Sequence, residues 1–280
     1  MTVVMPAMNR AHLIGRALDS VRAQTLRPRE VVVVDDASTD DTVAVARAHG
    51  ATVLEMETNG GSGPARNRGI EAASTTWIAF LDSDDSWHPD HLRTLMDRAG
   101  DHVLVGSPGR STDGRVLGNS SSREVELTPL TVLSPGDMLC TSGTAARRDA
   151  LLAAGLFRDL RRAQDLDMWV RVLERGTGLA LARPTVTYHL HEQQAILDSD
   201  LMRQCFTRIV DDCRSKDWFT DRDADRAWVR WHWDDARAAQ RSGEAAAAVR
   251  ELSWFASRPY TWSTLAALLR ARRLSRNASA

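Results

Sequence analysis

The feature that most constrains the fold is a regular alternation of strand-like and helix-like segments along the first part of the chain. Short apolar or β-branched runs occur at residues 2–5, 31–34, 52–56, 77–81 and 102–106. Segments with helical periodicity lie between them, at about residues 11–24, 40–49, 64–73 and 90–99. Repeated strand–helix–strand units of this kind predict an α/β fold with a mostly parallel sheet flanked by helices.

The alternation becomes irregular after residue 106 and stops near residue 198. We expect an irregular hairpin within 107–135, and successive helices at about residues 198–216, 222–241, 244–256 and 262–273. The sequence therefore predicts two regions, an α/β domain at 1–195 and a helical C-terminal appendage at 196–280.

Composition excludes several classes of protein. The formal net charge of −1 argues against a nucleic-acid binder. The three cysteines lack the spacing of a metal site or disulfide framework, which fits a reducing compartment. No apolar run approaches the ~20 residues that cross a bilayer, and the first residues do not resemble a signal peptide. We therefore expect a cytoplasmic protein.

Two groups of acidic residues follow strand-like segments. Asp35 and Asp36 end the second predicted strand, and Asp82, Asp84 and Asp85 follow the fourth in the sequence FLDSDDSW. Ligands of open α/β sheets bind at the carboxyl ends of strands, so both groups line one crevice if their strands are neighbours. Carboxylates are ligands for Mg²⁺ or Mn²⁺, which commonly also bind phosphates. The alternative is a solvated turn, with Asp85 capping the next helix.

Three segments carry a resemblance to a known family. VVMPAMNRAHLIGRALDSVRAQT, VVVVDDASTDDT and GGSGPARNRGIEAASTTWIAFLDSDDSW are very similar to family-two glycosyltransferases with the GT-A fold, a Rossmann-like architecture. The resemblance covers roughly residues 2–192. It implies transfer of a sugar from a nucleotide diphosphate donor, with inversion, to an acceptor hydroxyl. A UDP-sugar is favoured, and the acceptor stays open between a glycan, a lipid-linked molecule and a small molecule.

The resemblance also implies a donor site. It brings the nucleotide against Pro6, Met8, Asp36, Arg66 and Asp82. Asp36 would accept a hydrogen bond from the base, Asp82 would contact ribose or a metal-bound water, and Arg66 would pair with phosphate or base. Met8 replaces the family's frequent aromatic residue, so thymine and guanine stay open beside uracil.

A divalent cation, Mn²⁺ or Mg²⁺, is the implied cofactor. Asp84 would be its direct ligand in the family's Asp-x-Asp motif, with Asp82 beside it. His191, in TVTYHLHEQQ, matches a histidine that would be a further ligand or touch the diphosphate. The alternative for His191 is a structural histidine.

The second half of the chain would supply the catalytic base and the acceptor pocket. In RAQDLDMWVRVL, Asp165 matches the family's general base, while Gln164 stands where glutamate is usual. Asp167 is expected to bind backbone donors at the helix start. The acceptor pocket would be lined by Thr141, Ser142, Gly143 and Trp169. Helix capping is the alternative for Asp165, and ordinary packing is the alternative for the pocket residues.

Other interpretations stay open. One is a catalytically weak module that binds a sugar nucleotide or a glycan. A sugar nucleotidyltransferase is disfavoured because Pro6–Arg10 replaces the Gly-rich basic loop expected after its first strand, and a phosphatase would carry its acidic motif on that strand. The basic, leucine-containing end at 265–276 fits either a packed helix or peripheral contact with the inner face of a membrane. The oligomeric state is open.

Overall fold

The computed structural model describes residues 1–133, 139–190, 199–266 and 269, and it shows a large mixed sheet with helices on both faces. The strands are β1 (Thr2–Ala7), β2 (Glu30–Asp35), β3 (Thr52–Glu55), β4 (Trp77–Phe80), β5 (Ser86–Trp87), β6 (Leu104–Gly106), β7 (Gly109–Ser111), β8 (Val116–Leu117), β9 (Val125–Leu127), β10 (Thr144–Arg147), β11 (Gly178–Ala180) and β12 (Val186–Tyr188). The predicted α/β fold is confirmed.

Helices connect most of these strands. They are α1 (Ile14–Arg22), α2 (Thr42–Ala48), α3 (Ser62–Ala72), α4 (His91–Ala99), α5 (Pro129–Leu133), α6 (Arg148–Ala153), α7 (Gln164–Val172), α8 (Ser199–Ser215), α9 (Asp221–Ser242) and α10 (Ala245–Ala256). Single 3₁₀ turns occur at Thr141–Gly143 and Pro259–Thr261.

The main sheet has eight strands in the order β3-β2-β1-β4-β10-β6-β11-β9. The first four are parallel, as predicted. β10 lies antiparallel between β4 and β6, and β9 is antiparallel to β11 at the edge. β10 was not predicted, and it brings the chain back along β4. A second sheet, in the order β5-β12-β7-β8, lies beyond the carboxyl end of β4.

Alternation along the buried strands builds two cores. On β1, Val4 packs into the core that contains α3, α6, α7 and α8, whereas Val3 and Met5 pack into the core that contains α1 and α4. Side chains of a strand point alternately to its two faces, so a strand covered on both faces is apolar throughout. The run Val31–Val34 of β2 has the same cause.

The helical C-terminal region is joined to the α/β part through a shared core. Phe206, Ile209 and Val210 of α8 are buried in the same cluster as Val4 and Phe80. α9 and α10 form a hairpin with a smaller cluster of their own. The proposed division near residue 195 therefore separates regions of different architecture that share one hydrophobic cluster. Within the described ranges, no helix combines the length and hydrophobicity needed to span a bilayer.

Candidate active site

Both acidic groups lie at the carboxyl edge of the parallel strands. β2 ends at Asp35, and the turn from Asp82 to Asp85 follows β4. Their strands are not neighbours, because β1 lies between them in the sheet. The groups are therefore separated by one strand, and the turn after β1 lies between them.

Asp36 holds the loop that precedes α3. Its Oδ1 accepts a hydrogen bond from Gly60 N at 2.7 Å, and its Oδ2 accepts one from Gly61 N at 2.8 Å. Gly61 has a φ of 87°, which favours glycine. Asp35 is also buried and accepts from Ser38 N at 3.0 Å, so the two acids organise the backbone at this edge.

The turn after β1 places Met8 beside this loop. Pro6 lies within β1 and is buried, whereas 42% of Met8 is exposed. The Nδ2 atom of Asn59 lies 2.7 Å from the Met8 sulfur and 3.5 Å from the Asp36 carbonyl oxygen. Asn59 was not among the predicted site residues, although an asparagine directly before two glycines was an available signal.

Arg66 connects α3 to the acidic turn. Its Nη2 lies 2.6 Å from Asp82 Oδ1, and its guanidinium lies 5.6 Å from the centre of the Phe157 ring. Its side chain is 7% exposed, whereas that of Asp82 is 33% exposed. Arg68, two residues further along α3, is exposed. Of the two arginines, Arg66 therefore faces the site.

Asp84 and Asp85 have different surroundings. The Oδ2 atom of Asp84 lies 3.8 Å from Arg10 Nε, and Arg16 Nη2 donates to the Asp84 carbonyl oxygen at 2.8 Å. Asp85 is 1% exposed, and its carboxylate accepts hydrogen bonds from the Ser142 hydroxyl and His189 N. The capping alternative for Asp85 is wrong, because its side chain turns inward.

Burial raises the pKa of Asp85 to about 8, with a further contribution from the negative charge of Asp82. Burial and the carboxylates of this turn also raise the pKa of the Tyr188 phenol to about 12. A negative charge on one carboxylate makes it less favourable for a buried neighbouring group to lose its proton. The charges of Asp82 and Asp84 contribute to both shifts, and a cation bound at this turn would offset them.

The carboxylates of Asp82 and Asp84 fit a divalent cation. Both are partly exposed hard oxygen donors, and Mg²⁺ commonly uses one or two protein carboxylates, completing its coordination with water and phosphate. Within the described ranges, no three His, Cys, Asp or Glu side chains are grouped to hold an ion. The predicted ligand His191 lies outside the described residues, so the fit rests on the two aspartates.

Asp165 lies in the first turn of α7. Its Oδ2 accepts a hydrogen bond from the Thr141 hydroxyl at 2.6 Å, and its Oδ1 accepts one from Leu166 N at 2.9 Å. Ala163, the residue directly before α7, has a left-handed φ of 53° and turns the chain into the helix. Gln164 accepts from the Ser62 hydroxyl at 3.1 Å, which joins this turn to the start of α3.

The predicted acceptor residues are mostly buried. The Ser142 hydroxyl donates to Asp85 at 2.5 Å and accepts from Asp82 N at 3.2 Å. Trp169 is 2% exposed and packs against Phe80 and Phe157, with ring centres 5.6 and 6.0 Å away. Trp169 therefore belongs to the core, and ordinary packing describes it better than a pocket wall.

Asp167 has an ionic role that differs from the expected one. Its carboxylate is 1% exposed and pairs with Arg171, with Nη2 2.6 Å from Oδ2, and also with Arg158. Arg158 forms a second ion pair with Asp212 of α8. The expected contacts with backbone donors are wrong, since two guanidinium groups occupy the carboxylate. This network attaches the helix of Asp165 to the C-terminal region.

Comparison with known proteins agrees with this architecture. Residues 2–153 match a protein-family model described as glycosyl transferase family 2. The succinoglycan biosynthesis protein ExoO of Rhizobium meliloti is 42% identical over 135 residues, which cover 46% of this chain and 39% of ExoO. The putative teichuronic acid biosynthesis glycosyltransferase TuaG of Bacillus subtilis is 28% identical over 184 residues, covering 62% of this chain and 72% of TuaG.

Two solved structures share the fold. The S. aureus TarS fragment 1-349 in complex with UDP-GlcNAc has a TM-score of 0.68 and 21% identity, covering 99% of this chain and 88% of that one. The mannosyltransferase PcManGT from Pyrobaculum calidifontis, in complex with GDP-Man and Mn²⁺, has a TM-score of 0.57 and 22% identity, covering 96% and 84%.

Proposed function

Because the chain belongs to glycosyl transferase family 2, we propose that it transfers a sugar from a nucleotide diphosphate donor to an acceptor hydroxyl. One observation carries this proposal. Thr141 donates to Asp165 and the adjacent Ser142 donates to Asp85, so the candidate base and the acidic turn flank one short turn. To activate an acceptor hydroxyl beside a diphosphate, a general base must lie close to the residues that hold the diphosphate, and this arrangement provides one.

The proposed donor is a UDP-sugar. The TarS fragment was solved with UDP-GlcNAc, and the turn after β1 here offers an exposed Met8 beside Asp36 and Asn59. A methionine covers a flat base without selecting one base strongly. GDP- and dTDP-sugars are therefore included in the test. PcManGT, which was solved with GDP-Man, shows the same fold with a different base.

Asp82 and Asp84 are the residues that would hold a divalent cation, Mn²⁺ or Mg²⁺, as PcManGT was solved with Mn²⁺. A bound cation would supply positive charge to offset the charge of the departing diphosphate. Arg66 adds a fixed guanidinium at the same place, 2.6 Å from Asp82, with a geometry suited to phosphate oxygens.

In the proposed mechanism Asp165 accepts the proton of the acceptor hydroxyl as its oxygen attacks the anomeric carbon. The bond between that carbon and the phosphate oxygen breaks, and the diphosphate leaves with the electron pair. A single displacement inverts the anomeric centre, and the transition state has oxocarbenium character. Gln164 beside the base is neutral, so proton acceptance falls to Asp165.

The proposed acceptor is a carbohydrate hydroxyl. ExoO and TuaG are named for the biosynthesis of succinoglycan and teichuronic acid. The aligned region spans less than half of ExoO, so the name of ExoO describes a longer protein than the part that this chain matches. A cytoplasmic location stays a prediction. Peripheral contact with the inner face of the membrane stays open beside a packed helix, since most of the basic segment 265–276 lies outside the described residues.

The test is a donor panel of UDP-, GDP- and dTDP-sugars with Mn²⁺ and mixed glycan acceptors, measuring nucleotide release and the anomeric configuration of the product. We expect turnover with UDP-sugars, inversion, and a loss of at least about 10²-fold in Asp165→Asn. Asp84→Ala should abolish Mn²⁺-dependent UDP binding, whereas the exposed Asp113→Ala should not. Tight binding without turnover by any donor would instead support a sugar-nucleotide-binding module.

A further inference from the structure

We propose that the turn Thr141–Gly143 sets the position of the base relative to the donor site, with Thr141 positioning Asp165 and Ser142 positioning the acidic turn. This inference rests on the proposed function and deepens it. It gives the two hydroxyls positioning roles, in place of the predicted acceptor-lining roles.

Ser142 is held on three sides. Its hydroxyl donates to Asp85 Oδ2 at 2.5 Å and accepts from Asp82 N at 3.2 Å. Its carbonyl oxygen accepts from the Trp87 indole at 2.5 Å. With 1% of the residue exposed, Ser142 has both its hydroxyl and its carbonyl oxygen engaged by residues on or just after the acidic turn. Moving it would displace the backbone of Asp82.

Thr141 acts on the other side of the turn. The residue is 8% exposed, and its hydroxyl donates to Asp165 Oδ2 at 2.6 Å. Leu166 N occupies the other carboxylate oxygen at 2.9 Å. Two donors on different oxygens fix the rotation of the carboxylate, which determines where its lone pairs point. Because its hydroxyl is engaged by Asp165, Thr141 is assigned to holding the base and not to binding an acceptor.

The sheet explains why this turn is a fixed reference. β10 begins directly after the turn and runs antiparallel to β4, with Ala145 opposite Ala79. The residues that lead into β10 therefore lie beside the residues that leave β4. Gly143 packs so closely that an added Cβ would lie 2.1 Å from Ser107 O. The turn thus has little freedom to shift in either direction.

The test compares Thr141→Val, Thr141→Ser and Ser142→Ala with wild type. Thr144→Val is the matched control, because its buried hydroxyl donates within the same segment, to Cys140 O at 2.8 Å, and touches neither acid. The readouts are kcat, the KM of donor and acceptor, and the Kd of UDP with Mn²⁺ measured by calorimetry. The binding measurement needs no turnover, so the donor side is tested separately from the reaction.

We expect Thr141→Val to lower kcat by about tenfold or more, since a displaced catalytic group commonly costs up to about 10²-fold. Its UDP–Mn²⁺ Kd should stay within about twofold, and Thr141→Ser should restore kcat. Ser142→Ala should weaken UDP–Mn²⁺ binding by about fivefold or more. The inference is overturned if Thr141→Val raises only the acceptor KM, or loses no more kcat than Thr144→Val. It is also overturned if Ser142→Ala leaves the Kd unchanged. Absence of wild-type turnover with every donor would refute the proposed function instead.

Discussion

Arg66 and Asp82 form an ion pair with Nη2 2.6 Å from Oδ1, and they join α3 to the turn that carries the candidate metal ligands. We expect Arg66→Met to weaken UDP–Mn²⁺ binding by about tenfold, because a charge-assisted contact at the proposed diphosphate site is lost. The free energy of unfolding should fall by about 1–2 kcal/mol, since Asp82 loses its partner but stays partly solvated. Calorimetry and urea denaturation measure the two effects.

Arg68→Met is the matched control for that prediction. Arg68 lies on the same helix but is exposed. The control keeps the net charge change and the side-chain replacement identical while leaving the acidic turn untouched. Equal losses in the two variants would show that Arg66 contributes only its charge to the general potential.

A side chain at position 143 would disturb the candidate site sterically. An alanine Cβ would lie 2.1 Å from the backbone oxygen of Ser107, so the turn would have to move. We expect Gly143→Ala to lower the free energy of unfolding by about 1–3 kcal/mol and to reduce activity, because overpacking forces backbone shifts.

Gly15→Ala on α1 is the control, since its Cβ would lie 3.5 Å from His49. We expect this variant to raise the free energy of unfolding by about 0.5–1 kcal/mol. Thermal melts of both variants check the opposite signs, and a Gly143→Ala variant as stable as wild type would contradict the steric argument.

The sequence allowed much of the first half of the fold to be predicted, because its signals are local. The four parallel strands β1 to β4 are apolar or β-branched runs, and the helices between them show apolar periodicity. The acidic turn and Asp165 were also singled out from the sequence, since family motifs mark both, and their roles stay predictions. The sequence also placed the acidic turn at the end of a strand and Asp165 at the start of a helix, because both boundaries are marked by local sequence patterns.

The antiparallel strand β10 was not predictable in the same way. Its sequence, Thr144-Ala145-Ala146-Arg147, has one β-branched residue, and its strand character comes from pairing with β4 and β6. The contact of Ser142 with Asp85 was not predictable for the same reason, because the two residues are 57 positions apart in the sequence. A serine before a glycine does not indicate burial in the sequence, because burial depends on contacts with distant parts of the chain.

The buried carboxylate of Asp167 takes part in an ion-pair network that links α7, which carries the candidate base, to the C-terminal region. Its carboxylate is 1% exposed between Arg158 and Arg171, and removal of one member of a buried ionic group leaves the others uncompensated. We expect Asp167→Asn to lower the free energy of unfolding by about 3 kcal/mol. The exposed pair of Asp149 with Arg147 supplies the control, and Asp149→Asn should change stability little. Urea denaturation of both variants decides between them, and equal effects would contradict the buried network.

His91 is a buried histidine outside the candidate site. Its ring stacks on Trp87 with centres 4.5 Å apart, and its Nδ1 lies 2.6 Å from Thr185 Oγ1. The other ring nitrogen, Nε2, is buried and has no hydrogen-bond partner among the described residues. Because Thr185 already donates to Ser107 at 2.6 Å, His91 Nδ1 carries the proton in this pair. A second proton on Nε2 would be buried without an acceptor.

Burial therefore lowers the pKa of His91, from 6.5 to about 3, with a smaller contribution from His88. The unfolded chain takes up a proton below pH 6.5 that the folded protein excludes. The stabilisation is thus complete above pH 6.5 and is lost as the pH falls toward 3. Between pH 7 and 5 the contribution of His91 falls by about 2 kcal/mol. It is read as a change in the difference between wild type and a His91 variant, because the raised pKa of Asp85 adds stability over the same range in both. In urea denaturation at both pH values, His91→Phe, which keeps an aromatic ring against Trp87, should lack this loss. His12→Gln, a change at an exposed histidine, should keep it, and an unchanged pH dependence in His91→Phe would assign the effect to another group.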